Sequence, residues 1–64
     1  MESFTPELKR ILAKAGCYFV RNGKGDHEMW FSPSMLVNFV VDSKIKSRHM
    51  ANAVLKQPGL PKQF

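Results

Sequence analysis

The sequence predicts an α+β domain: one helix, three short antiparallel strands, then a second helix, with both helices on one face of the sheet. Three observations predict it. Apolar residues recur at helical spacing near both ends of the chain, at Leu8, Ile11, Leu12 and Ala15 and at Met50, Ala51, Val54 and Leu55. Between them lie three β-prone runs separated by tight turn signals. Each helix has a single apolar stripe, so both need the same sheet face to cover it. Sixty-four residues allow one domain, 1–64, with a marginal core.

Thr5-Pro6 opens the first helix, with threonine as the cap and proline at the first helical position. Gly16 closes it, because glycine accepts the left-handed conformation a helix end requires. The first strand is Cys17–Arg21. Asn22-Gly23-Lys24-Gly25 turns the chain. His27–Ser32 is the second strand, broken by Ser32-Pro33-Ser34, and the third occupies most of Val37–Val41. A polar connection holding Ile45 leads to Ser47, the cap of the second helix, which Pro58-Gly59 ends. Leu60 and Phe64 in the tail are expected to dock on the body.

Strand alternation leaves apolar residues on both sheet faces. His27, Met29 and Phe31 point one way, Glu28, Trp30 and Ser32 the other; Val37, Phe39 and Val41 oppose Asn38 and Val40. Either a partner or a second copy meets one face or edge, or twist and the tail cover it.

Ten basic and five acidic residues give a net charge of +5, and all of the excess lies in one segment. Over residues 1–42 the charges cancel, whereas 43–64 hold Lys44, Lys46, Arg48, Lys56 and Lys62 with no acid. A one-sided basic segment suits a polyanion, with nucleic acid first; the alternative is a basic protein with no such partner. The single cysteine, Cys17, forms no internal disulfide. Cys17, His27 and His49 match no zinc spacing, so neither a metal nor another cofactor is expected. The opening Met1-Glu2-Ser3-Phe4 lacks the pattern of a secretion signal, and no apolar run approaches the roughly 20 residues of a membrane span. A reduced, cytoplasmic protein follows as the expectation.

Two segments carry candidate chemistry. In Gly23-Lys24-Gly25-Asp26-His27, a glycine-flanked turn runs straight into a histidine, the side-chain type whose ordinary pKa suits acid–base work near neutrality. Gly25 lets a sugar-phosphate approach closely and Lys24 can contact a phosphate. The same residues also describe an ordinary hairpin with an exposed histidine. In Lys44-Ile45-Lys46-Ser47-Arg48-His49, three basic residues precede or open a helix, whose N-terminal amides attract phosphate; a solvated basic linker reads equally well. Tyr18, Trp30, Phe31 and Phe39 are either base-stacking rings or core, and core is the expectation for most of them.

Gly23-Lys24-Gly25-Asp26-His27-Glu28 followed by Trp30 resembles the glycine-flanked histidine motif of the HicA toxin family. Ile45-Lys46-Ser47-Arg48, running through Ala53-Val54-Leu55-Lys56-Gln57 to Gly59-Leu60, resembles that family's closing helix and ending. The likeness spans the Leu8–Leu12 helix to Leu60. Pro58 stands in place of an alanine, which shortens the expected last turn. Val41-Asp42-Ser43 replaces a stretch with proline and histidine, so no second catalytic group is carried over there. The resemblance implies a double-stranded-RNA-binding-domain-like α-β-β-β-α fold and an mRNA-cleaving toxin of a bacterial toxin–antitoxin pair. It also implies a HicB-type antitoxin as partner, an oligomer within their complex, and His27 as catalytic histidine. The expected chemistry is metal-independent endoribonuclease action, with Lys24, Gly25, Lys44, Lys46 and Arg48 as the RNA-binding set. A non-catalytic RNA-binding module is the alternative, and a small protein whose basic surface docks an acidic partner is a third reading.

Overall fold

The computed structural model describes residues 3–64. Met1 and Glu2, part of the opening stretch considered above, lie outside the described residues. The elements run α1 (Thr5–Lys14), β1 (Tyr18–Asn22), β2 (His27–Ser32), β3 (Val37–Asp42) and α2 (Arg48–Lys56). The strands form one antiparallel sheet in the order β1-β2-β3. Both helices lie on one face, the predicted α+β architecture.

Inner-facing Trp30, Phe39 and Val41 meet Leu8 and Leu12 of α1 and Ala51, Val54 and Leu55 of α2 in one core, which Cys17 and Ile45 complete. Register explains which face is which. Trp30 stands opposite Phe39, Glu28 opposite Val41 and Ser32 opposite Val37. Those residues therefore share the helix side, and His27, Met29, Phe31, Asn38, Val40 and Asp42 share the open side. The helices cover β2 and β3; β1 is exposed along its whole length. A bulge between Phe19 and Arg21 makes Val20 the unpaired residue.

The structure corrects three local expectations. Thr5 does not cap α1: Phe4 is the cap residue, with no side-chain cap bond. Thr5 is buried instead, and its hydroxyl donates to the Asp42 carbonyl at 3.1 Å and accepts from the Ile45 N–H at 3.1 Å. Phe4 N–H donates to the Ile45 carbonyl at 2.6 Å. The start of α1 thus pins the connection into α2, a demand stronger than capping. In α2, Ala51, Val54 and Leu55 are buried as the spacing predicts, but Met50 is exposed. β1 runs Tyr18–Asn22, one residue later than the β-prone run, because Cys17 turns into the core.

Other expectations hold. Ser47 caps α2, its Oγ accepting from the His49 N–H at 3.1 Å. Gly16 and Gly59 both have positive φ at the helix ends. α2 ends at Lys56 with buried Pro58 just beyond. The tail docks: Phe64 meets Phe4 edge-to-face at 5.3 Å, and the Asn52 amide holds the backbone of Gln63 and Phe64.

Candidate active site

The tight β1–β2 turn exists because Gly25 adopts φ +65°. It is closed by Gly23 N–H donating to the His27 carbonyl at 2.8 Å and His27 N–H donating to Lys24 O at 3.3 Å. Gly23 lies against the His27 backbone, where a Cβ would make ordinary contact with the His27 Cβ at 3.6 Å. His27 is exposed as the first residue of β2, on the sheet face that the helices do not cover.

The β3–α2 connection reaches the same end of the sheet, since β3 finishes where β2 begins. Ser43 N–H donates to the Asp26 carbonyl at 3.0 Å and ties the two segments together. That bond makes the neighbouring His27–Asp42 pair a non-hydrogen-bonded one, the type in which cross-strand side chains stand closest. Asp42 therefore faces His27 on the open side, and its Oδ1 accepts from Lys44 N–H at 3.1 Å. Ile45 is fully buried, which turns its neighbours Lys44 and Lys46 to solvent. Arg48 opens α2 and is exposed, as is His49.

The fold thus brings two segments to one end of the sheet: the turn holding Lys24, Gly25 and His27, and the start of the connection on which Lys44, Lys46 and Arg48 follow Ser43. None of those four cations forms an ion pair among the described residues, where the one salt bridge is Lys9–Glu28. Glu28 is occupied elsewhere. Its carboxylate accepts from Lys9 Nζ at 2.9 Å and from Trp30 Nε1 at 2.9 Å on the inner face. These two hydrogen bonds, Lys9 foremost, hold its carboxyl below the ordinary value despite some burial. It ties α1 to β2 and does not orient His27.

Sequence reasoning missed Asp42 as the neighbour of His27. The signal was present: a four-residue turn closing Ser32 on Val37 places 27 opposite 42 by counting back along both strands. Of the four aromatics, Trp30 and Phe39 are core, but Tyr18 is 53% exposed. Phe31 is half-buried on the open face, its ring 5.7 Å from that of Tyr18. Among the described residues no group of three or more His, Cys, Asp or Glu is placed to hold a metal ion. No helix there is long and apolar enough to cross a membrane. A shallow hollow lined by Ile11, Lys14, Ala15, Leu60 and Gln63 lies on the helix layer, across the sheet from His27. The chain matches no protein-family model, no curated protein and no solved structure.

Proposed function

We propose that this chain is a HicA-like toxin, a cytoplasmic endoribonuclease that cleaves mRNA and is held in check by a HicB-type antitoxin, with which it forms a complex. The observation that supports the reading is exposed His27 at the start of β2, with Lys24 in its turn and the basic connection of Lys44, Lys46 and Arg48 leaving from the Ser43–Asp26 bond next to it. The resemblance of the two motifs to that family supplies the biological setting.

In this reading His27 takes the proton of a ribose 2′-hydroxyl, and the 2′-oxygen attacks the adjacent phosphorus. The bond from phosphorus to the 5′-oxygen breaks. The 5′-oxygen leaves with a proton drawn from water at this exposed site. The fragments end in a 2′,3′-cyclic phosphate and a 5′-hydroxyl. Lys24, Lys44, Lys46 and Arg48 offset the charge that grows on the phosphoryl oxygens. Gly25 keeps the turn low enough for the backbone of the RNA to approach. DNA is not cut, because it lacks the nucleophile.

The test is cleavage of a labelled single-stranded RNA in excess EDTA by the parent and by His27→Ala. Cyclic-phosphate ends from the parent alone support the proposal. Intact RNA with both proteins, together with a gel shift, replaces it with the non-catalytic RNA-binding module.

A further inference from the structure

The open face of the sheet forms an ordered ladder leading away from His27. The first row is His27 with Asp42, the second Arg21, Met29 and Val40, and the third Tyr18, Phe31 and Asn38. From His27 to Phe31 is four residues of one strand, about 13 Å. Met29, Val40, Tyr18 and Phe31 make the apolar part of the face; Asp42 is its single acid among the described residues, and that carboxylate already accepts the Lys44 N–H. Arg21 adds a cation in the middle row, and the basic connection lies at the His27 end. A row of rings beside an exposed amide, approached past a cation, fits nucleobases, which offer a π-face to stack and polar edges to bond.

Size argues against a second copy of this chain as the occupant of this face. Three strands of five or six residues span about 14 by 20 Å, roughly 300 Å², well short of the ~800 Å² per partner of a standard interface. The bulge at Val20 interrupts the β1 edge, and pairing of a second copy along the β3 edge would extend the sheet without covering its face.

We infer that the open sheet face is a base-stacking platform for single-stranded RNA, with Tyr18 and Phe31 as the stacking rings and Asn38 at the edge of the bound base. It rests on the ribonuclease reading for its choice of polymer and extends that site from the scissile phosphate to the nucleotides beside it. Single-stranded substrate is selected because a paired base cannot present its face to a side chain.

The experiment measures binding by fluorescence anisotropy at one fixed salt concentration, using the full chain carrying His27→Ala. The probes are a short single-stranded RNA, the same RNA with abasic sites, and single-stranded DNA of the same sequence. Tyr18→Ala and Phe31→Ala are each expected to weaken RNA binding about 5- to 150-fold, the range for one stacked base. Tyr18→Leu, which keeps apolar area without the ring, should weaken it comparably, and Tyr18→Trp should restore it. The abasic RNA should bind the His27→Ala protein as weakly as intact RNA binds the ring variants. Thermal melts check that each variant folds, and Phe31→Leu replaces Phe31→Ala where it does not.

Unchanged affinity in folded ring variants overturns the inference. So does abasic RNA that binds as well as intact RNA, or a dimer that dissociates in Tyr18→Ala with RNA affinity untouched. The two proposals fail separately. A parent that never cuts RNA, with DNA binding that needs Tyr18 and Phe31, removes the ribonuclease and keeps the platform. Cutting that needs His27 but neither ring does the reverse.

Discussion

The two faces of the sheet are built from alternate residues of the same strands, and they are finished differently. On the inner face Trp30, Phe39 and Val41 are buried under both helices, and the polar groups among them have partners. No buried side-chain nitrogen or oxygen among the described residues lacks a hydrogen bond. On the open face Tyr18, Val40 and His27 are all left exposed. A period-two alternation thus separates residues that hold the fold from residues free to meet a ligand. Substitutions on the two faces should therefore fail in different assays.

The largest contrast is between His27→Ala and Phe39→Ala. Removing the proposed general base should lower cleavage about 10²- to 10⁴-fold, with the melting temperature unchanged, because the imidazole is exposed. Phe39→Ala, 2% exposed in the parent, should cost about 3–5 kcal/mol of stability. That is much of what a domain of this size possesses, at roughly 0.05–0.15 kcal/mol per residue. Denaturant unfolding beside a single-turnover cleavage assay reads both. A His27→Ala protein that melts far below the parent would break the separation of faces.

A smaller effect tests how the inner layer places the basic connection. Thr5→Val keeps the shape but strands the buried Ile45 N–H, which accounts for a loss of about 1–3 kcal/mol. Thr5→Ser, which keeps the hydroxyl, should recover most of it. The loss bears on the site because Ile45 anchors Lys44 and Lys46. RNA affinity should fall in Thr5→Val even at temperatures where the protein remains folded. Affinity equal to that of the parent under those conditions would mean the pin does not position the cations.

These elements differ in how far the sequence discloses them. The strands and α2 are legible because alternation, the Asn22–Gly25 turn, the Ser47 cap and Pro58-Gly59 are local signals. His27 and the basic connection are legible as segments for the same reason. What brings them together is not local. The Ser43–Asp26 bond and the His27–Asp42 pairing depend on strand register, and the role of Thr5 depends on a partner 40 residues away. Capping chemistry at Thr5-Pro6 is a correct local rule that a buried donor overrides. Tyr18 and Phe31 defeat the expectation of a core role because aromatic residues look alike in sequence. Which face the helices cover is settled by packing across the whole chain.

Glu28 gives the smallest expected effect and the sharpest check on the inner face. Lys9 and the Trp30 indole favour its charged form, so the folded protein protonates it below the ordinary value of 4.5. The unfolded chain takes up that proton first. The contribution is therefore fully present above pH 4.5 and is lost as the pH falls through the lower folded value. Glu28→Gln keeps an acceptor for the indole but removes the charge that Lys9 meets. Because the pair is partly solvated, the substitution should cost about 1 kcal/mol at pH 7. The gap between parent and variant should close in acid, as the parent's own carboxyl becomes neutral. Cleavage at neutral pH should not change, because Glu28 faces the helices and His27 does not. Unfolding midpoints from pH 7 down to pH 3 supply the comparison. A gap that stays constant across that range would remove the ion pair from the account of what holds α1 to β2.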